Sequence, residues 1–232
     1  KNKVDLFLSP DGYLSLSTSI PQVSVIHDIN FYHYPKTLPI LARWYYNHFF
    51  PKFASKALRI ATVSQFSKND IIESYGINPS KIDVTYNGAN ELYKPLLLAE
   101  IEDTQNLITN GCPYFIFVGA FNPRKNLAKL LQAFDLFKAK SQSDIKLVIV
   151  GDKMYGTSQM LQALNEMIFK KDVVFTGRMQ VEKLKLVVGS ALAMTYVSYF
   201  EGFGIPLLEA MMCDIPIVAS NCTSIPEVAG DA

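Results

Sequence analysis

The chain has 232 residues, 49% hydrophobic and 19% charged, a balance that suits one large or two smaller globular domains and excludes a disordered chain. Its 22 Lys and Arg nearly cancel its 21 Asp and Glu, so nothing suggests nucleic acid as the main partner, and any bound anion should be held by a local site. Three cysteines, Cys112, Cys213 and Cys222, have no metal-ligand spacing and read as small buried thiols in a reducing, cytoplasmic setting, with no metal expected.

In chain order, the first part alternates apolar runs with helical stretches. Strands are expected at 4–8, 23–29, 59–63 and 81–86, mostly continuous apolar runs of the kind buried on both faces of a parallel sheet. Residues 38–58 read as helical with a break at Pro51. Ser67-Lys68-Asn69-Asp70 opens a short helix in the manner of a capping box, which Gly76 stops. Asn87-Gly88-Ala89-Asn90 is a turn, and 95–111 shows little organisation and reads as a linker.

The second part is more regular. Strands are expected at 114–118, 146–150, 172–176, 191–197 and 215–219. Between them, apolar residues recur at helical spacing, as in Leu127, Leu130, Leu131, Phe134 and Phe137, or Val181, Leu184, Val187 and Val188. Strict alternation of strand and helix implies a doubly wound parallel sheet. The expected architecture is α/β: residues 1–94 as part of one Rossmann-like domain, 95–111 as linker, and 112–232 as a second such domain. Ligands of such sheets bind outside the carboxyl ends of the strands. No apolar run reaches the ~18–20 residues that cross a bilayer. The chain opens at Lys1 without methionine and closes at Ala232 just after a Pro-Glu turn, as a fragment would, with both domains incomplete.

The sharpest chemical feature is Tyr199-Phe200-Glu201-Gly202-Phe203-Gly204-Ile205-Pro206-Leu207-Leu208-Glu209-Ala210. Pro206 suits the start of a helix, whose N-terminus presents free amides and a positive dipole end to an anion. Gly202 and Gly204 let a ligand approach the backbone, and the carboxylates of Glu201 and Glu209 accept hydrogen bonds from sugar hydroxyls. Either glutamate alone reads as a solvated charge or a complement to the helix dipole. Their spacing around the Gly-Phe-Gly loop favours a ligand.

This stretch resembles the E-x7-E motif of the family 4 retaining glycosyltransferases, enzymes of two-domain GT-B architecture. Downstream, Glu209-Ala210-Met211-Met212-Cys213-Asp214-Ile215-Pro216-Ile217-Val218-Ala219-Ser220 is similar to the family's EAM-x-x-G-x-P-V-V-A-S stretch, with Asp214 where the family has glycine at a helix end. The match continues through Pro226-Glu227-Val228-Ala229-Gly230-Asp231-Ala232.

A second element, Phe117-Val118-Gly119-Ala120-Phe121-Asn122-Pro123-Arg124-Lys125-Asn126-Leu127, runs a strand through a glycine turn into a basic pair. Arg offers a bidentate fork and Lys a point charge, a fit for a diphosphate. It resembles the family's basic donor-phosphate site, with Lys125 first and Arg124 second as the working bases, since Ala120 stands where many relatives carry arginine. A solvated basic helix start is the weaker reading, because such charge is unfavourable there without an anion. The G-x-G-x-x-G dinucleotide fingerprint is absent.

His27, at the end of the buried run Val25-Ile26-His27-Asp28-Ile29, would alone read as a core residue. The resemblance makes it a contact to the donor sugar, with Asp28 structural; His33 and His48 keep the plain reading. Thr62-Val63-Ser64-Gln65-Phe66-Ser67 and Tyr86-Asn87-Gly88 are similar to structural segments of the family, and Arg178, after Gly177, falls where relatives hold the nucleobase.

The resemblance thus implies transfer of a hexose, mannose first, from a nucleoside diphosphate sugar to a saccharide or lipid-linked acceptor with retention of configuration. GDP-mannose is the favoured donor and UDP-hexoses come next, with no cofactor beyond that co-substrate. Catalytic roles fall to His27 and Glu201, and donor binding to Gly119, Arg124, Lys125, Arg178, Gly202, Phe203, Gly204 and Glu209. A sugar-nucleotide-binding chain without turnover and a sugar-nucleotide epimerase stay open; an oxidoreductase is the remotest reading. The stretch from Arg43-Trp44-Tyr45-Tyr46 through Lys56 and Arg59 mixes aromatics with bases. It reads either as a peripheral contact with the inner face of a membrane or, more simply, as buried aromatics with bases on the wet side.

Overall fold

The apolar runs become strands and the i, i+4 stripes become helices around two separate parallel sheets. The computed structural model describes residues 3–152 and 158–230. The chain divides into two compact units. Unit 1 holds Lys1–Asn87, Phe200–Phe203 and Thr223–Glu227; unit 2 holds Gly88–Tyr199, Gly204–Cys222 and Val228–Ala232.

Unit 1 has strands β1 (Phe7–Ser9), β2 (Gln22–Val25), β3 (Arg59–Thr62) and β4 (Ile82–Val84) in the order β1-β2-β3-β4, all parallel. Its helices are the single turn α1 (Asn30–His33), α2 (Ile40–Lys56) and α3 (Gln65–Tyr75). Ile26, Ile29, Phe50, Phe53, Ile60, Ile71 and Ile82 form its core. The helix expected to break at Pro51 runs straight through it. A proline in a helix interior costs about 3 kcal/mol. Phe50 and Phe53 beside it are 5% and 4% exposed, and burying each contributes about 1.5–3 kcal/mol, enough to carry the helix across. The cap of α3 also differs from the expected one. Ser64, not Ser67, is the N-cap, its Oγ accepting from the Ser67 N–H at 3.0 Å, while Gly76 closes the helix at φ 65° as expected.

Unit 2 opens with α4 (Leu98–Thr109), so the segment expected to be a linker holds an ordered helix. The Glu100 carboxylate accepts from the Leu97 N–H at 2.9 Å, and Thr104 and Thr109 are buried. The sequence pattern is weak there because Leu98 and Leu107 are exposed while threonines take buried positions, so apolar spacing does not mark the packed face. Strands β5 (Tyr114–Val118), β6 (Lys146–Val150), β7 (Val173–Gly177), β8 (Ala193–Tyr196) and β9 (Ile217–Ala219) pair in parallel in the order β7-β6-β5-β8-β9. Helices α5 (Leu127–Ser141), α6 (Ser158–Glu166), α7 (Val181–Gly189) and α8 (Ile205–Met212) complete the alternation, and the short α9 (Ile225–Ala229) begins in the Thr223–Glu227 segment of unit 1.

The continuous apolar β5 divides its side chains between two cores. Tyr114, Ile116 and Val118 join Val148, Val187, Val188 and Met194 in one, and Phe117 joins Leu147, Ile149, Leu131 and Phe134 in the other. That is how a strand covered on both faces reads as an unbroken hydrophobic run. Asp214, standing where the family has glycine, is left-handed at φ 56° just past α8, which explains the family's preference. Cys112, Cys213 and Cys222 are free. Among the described residues no helix is long and apolar enough to cross a membrane. Asp231 and Ala232, the end of the family-like stretch, lie outside the described residues.

Candidate functional site

Unit 2 carries its polar chemistry where β5 and β8 end. Gly119 follows β5 at φ 156°, and a methyl group on its Cα would stand 3.4 Å from the Phe117 ring and 3.5 Å from Lys125 Cε. The glycine lies directly beside the lysine stem. Asn122 caps a 3-10 turn, Pro123–Lys125, its Oδ1 accepting from the Lys125 N–H at 3.3 Å. Asn126 then turns the chain into α5 at φ 58° while its Nδ2 donates to the Val197 carbonyl at 3.1 Å. The Tyr199 N–H donates to the Arg124 carbonyl at 2.9 Å. The basic turn is thereby fastened to the loop that leaves β8.

Lys125 is only 8% exposed. Its Nζ lies 3.3 Å from Tyr196 Oη and 5.1 Å from the centre of that ring. Tyr196, 1% exposed, was not singled out from sequence; inside an apolar strand nothing local marks it. The same ring lies near the start of α8, since a methyl on Gly204 would stand 3.6 Å from Tyr196 Cε1. Gly204, at φ 115°, is the N-cap of α8, with Pro206 in the first turn. A buried cation and a helix N-terminus thus share one aromatic ring. A low-dielectric setting strengthens both toward an anion.

One turn into α8, burial pushes the Glu209 carboxyl above its ordinary range, opposed by the neighbouring Tyr93 hydroxyl. The Tyr93 hydroxyl is itself raised by burial and by Glu209, and it is buried without a well-formed hydrogen bond. Gly119 and Arg178 line one cavity of about 510 Å³ at the carboxyl ends of β5, β6 and β7, together with Gly151 and Asp152.

Unit 1 gathers the remaining predicted residues. His27 is exposed at the end of β2, with Nε2 3.1 Å from the Pro10 carbonyl oxygen, and lines a cavity of about 490 Å³ with Asp11, Asp28 and Asn30. Asp28 Oδ1 accepts from the Asn30 N–H at 2.9 Å. Gly202 is seated against this strand end, where a methyl would stand 2.6 Å from the His27 carbonyl oxygen and 2.7 Å from Asp28 Cβ. Its own carbonyl accepts from Ser64 Oγ at 2.6 Å and Ser67 Oγ at 3.1 Å. Glu201 is buried at 6% exposure, its N–H donating to Thr223 Oγ1 at 3.2 Å. Ser224 Oγ contacts the carbonyls of both Glu201 and Phe203 at 2.9 Å, and the buried Phe203 ring lies 6.2 Å from Tyr86.

Glu227, read from sequence only as part of the family-like tail, spans both free amides at the start of α3, accepting from Gln65 at 2.6 Å and Phe66 at 3.0 Å. No local signal links it to residues some 160 positions earlier. His33, kept plain in the sequence reading, meets Asp70 Oδ1 at 2.7 Å. Among the described residues no group of three or more His, Cys, Asp or Glu has the arrangement of a metal site.

The predicted residues therefore fall into two sets. Gly119, Arg124, Lys125, Arg178, Gly204 and Glu209 belong to unit 2, and His27, Glu201, Gly202 and Phe203 to unit 1. Against known families, the model of the glycosyl transferases group 1 matches residues 99–232, more than half of the chain. The chain belongs to the glycosyl transferases group 1. The model of glycosyltransferase family 4 matches residues 3–91 of this group 1 transferase chain.

Among curated proteins the chain is 31% identical over 213 residues to O-antigen chain mannosyltransferase B of Escherichia coli, covering 90% of this chain and 55% of that one. It is 28% identical over 207 residues to O-antigen chain mannosyltransferase RfbU of Salmonella typhimurium, covering 89% and 54%. Among solved structures it resembles Anabaena HepE in complex with UDP and glucose, with a TM-score of 0.73 at 21% identity over 89% of this chain and 55% of that one. WaaG, a glycosyltransferase involved in lipopolysaccharide biosynthesis, gives 0.72 at 17% identity, covering 89% and 58%. These structures share the two-sheet α/β fold expected of this group 1 chain. The chain spans about half the length of the curated relatives it matches.

Proposed function

We propose that the protein is a retaining hexosyltransferase that moves mannose from GDP-mannose to a saccharide or lipid-linked acceptor, and that unit 2 holds the donor. The observation that carries this reading is the arrangement of Lys125 on the Tyr196 ring, with Gly119 beside the lysine stem and Gly204 starting α8 near the same ring. A diphosphate is the ligand that suits a buried ammonium beside a helix N-terminus.

In this reading Lys125, backed by Arg124, and the α8 amides stabilise the charge that develops on the departing diphosphate, which is electrostatic catalysis. Glu209 accepts from the ribose hydroxyls, and the nucleobase enters the cavity lined by Gly119 and Arg178. Glu201 and the loop of Gly202 and Phe203 meet the sugar hydroxyls, and His27 orients the sugar. We assign no protein nucleophile; a front-face displacement assisted by the leaving phosphate keeps the anomeric configuration. Mannose is preferred because the relatives named above are mannosyltransferases, whereas HepE was solved with UDP and glucose, so UDP-hexoses are the second donor to test. We place the work on the cytoplasmic side, where nucleotide sugars and reduced thiols coexist.

The test is transfer from labelled GDP-mannose and UDP-hexoses to oligosaccharide acceptors, with the product linkage read by NMR. A product of retained configuration made from GDP-mannose is expected. Conversion of the donor sugar without any acceptor would point to an epimerase instead, and donor binding without turnover to a binding protein.

A further inference from the structure

α1 is a single turn because Pro35 follows it. The residue before a proline is pushed out of the helical region, and Tyr34 stands at φ −118°. His33 and Tyr34, where the helix ends, both reach Phe200, with ring centres 5.3 Å and 5.9 Å from it. A third ring, Phe66 of α3, meets Phe200 at 5.5 Å. Phe200 is 5% exposed and belongs to unit 1. Rings from two parts of unit 1 thus pack on the residue that precedes Glu201.

One turn after Phe66, on the same face of α3, stands Asp70. It is buried; its Oδ1 lies 2.7 Å from His33 Nε2 and accepts from Ser74 Oγ at 3.2 Å. A carboxylate accepts and does not donate, so the His33 Nε2–H donates and the bond fixes the rotation of the ring that lies on Phe200. Asp70 Oδ2 is buried without a hydrogen-bond partner among the described residues. A half-satisfied buried carboxylate is a poor source of stability, and an apolar side chain of its size would serve a core better. What the carboxylate adds is direction.

We infer, on the reading that Glu201 meets the sugar hydroxyls, that His33 and Asp70 are positioning residues for Glu201. Asp70 sets the His33 ring, His33 sets Phe200, and Phe200 sets the direction in which the chain enters Glu201. The following peptide is held separately: the Glu201 N–H donates to Thr223 Oγ1 at 3.2 Å, and its carbonyl accepts from Ser224 Oγ at 2.9 Å. Those bonds fix the peptide but leave its approach to the packing of Phe200. Small errors of placement matter at such a site, since a shift of about 1 Å can cost roughly 10²-fold in rate.

The experiment is calorimetric titration with GDP and GDP-mannose, and with UDP and UDP-glucose as the second pair, on the parent and on Glu201→Gln, His33→Ala, Asp70→Ala and Asp70→Asn. The affinity ratio of sugar nucleotide to nucleotide isolates the sugar, and the nucleotide alone reports on unit 2. Glu201→Gln should lower the ratio about tenfold, the loss of one hydrogen bond to a charged group. His33→Ala and Asp70→Ala should each lower it about fivefold, and the double variant no further, because the two residues act as one device. Asp70→Asn, whose amide oxygen still accepts from His33, should keep the parental ratio, and nucleotide affinity should stay unchanged throughout. The His33 side chain is 35% exposed, so His33→Ala keeps the fold even where Asp70→Ala does not. A parental ratio in His33→Ala beside a lowered one in Glu201→Gln would overturn the positioning role and leave the reading of Glu201 standing. A ratio unmoved by Glu201→Gln, or a parent that binds neither pair, would overturn that reading and the positioning role with it. Nucleotide affinity falling in step with the sugar nucleotide in His33→Ala, or a double variant that loses the product of both single losses, would also overturn the proposal.

Discussion

Gly202 and Asp28 meet so closely that no side chain fits between them: a methyl on Gly202 would lie 2.7 Å from Asp28 Cβ and 3.0 Å from its Oδ2. The Gly202 carbonyl is at the same time held by the hydroxyls of Ser64 and Ser67. Gly202 of the E-x7-E motif is therefore fixed from both sides within unit 1, against the His27 carbonyl on one side and the Ser64 and Ser67 hydroxyls on the other.

Gly202→Ala should accordingly destabilise the protein by about 1–3 kcal/mol, the usual cost of overpacking, because the atoms it meets are backbone and a short side chain. At this chain length that lowers Tm by roughly 2–12 °C. Calorimetry checks it; a Tm within a degree of the parent would mean the loop is free to shift.

Lys125→Ala should weaken nucleoside diphosphate binding about tenfold and lower kcat by roughly 10²–10³, as expected when a preorganised charge opposite a leaving group is removed. Tyr196→Phe keeps the ring under the ammonium and should lose much less than Tyr196→Leu, which removes the cation–π contact of about 2 kcal/mol at a desolvated site. Steady-state kinetics on the three variants distinguish positioning from simple packing.

Glu209→Gln should separate stability from function. Burial raises the folded-state pKa of this carboxyl, so its protonated form is the one that stabilises the fold. That contribution is complete below the unfolded-state pKa and is lost as pH rises through the folded one. Glutamine mimics the protonated form. The variant should therefore gain roughly 1–2 °C in Tm at pH 7 and nothing at pH 4, a modest amount because the group is only half-buried. It should lose nucleotide affinity at both. Thermal melts across pH read the first effect and titration calorimetry the second.

Glu227→Gln removes the charge that spans the amides of Gln65 and Phe66, and should cost about 0.5–2 kcal/mol, less in high salt. It should also bring the Tyr86 hydroxyl back toward its ordinary pKa, since the Glu227 carboxylate is what raises it. A difference titration at the tyrosinate band, parent against variant, shows whether that shift is present.

Unit 2 was largely legible in sequence because a parallel sheet covered on both faces writes itself as apolar runs separated by helical stripes; β5 and β6 match their expected bounds. Gly76, at φ 65°, was legible as the residue that stops α3. Long-range relationships were not. Nothing near Ser64 says that its hydroxyl serves both a helix cap and a carbonyl 138 positions away, and nothing near Glu227 names the amides it covers. Tyr196 lay hidden in an apolar strand, and α4 in a stretch with little local pattern, because tertiary packing rather than periodicity gives each its role.

The most direct test of the donor site is calorimetric titration of the protein and of Lys125→Ala with GDP, UDP and ADP. Selective binding of GDP, weakened about tenfold in the variant, is the predicted result. If a folded sample binds no nucleoside diphosphate, or binds one equally well without Lys125, the cradle built on Lys125, Tyr196 and Gly204 is not where the donor sits.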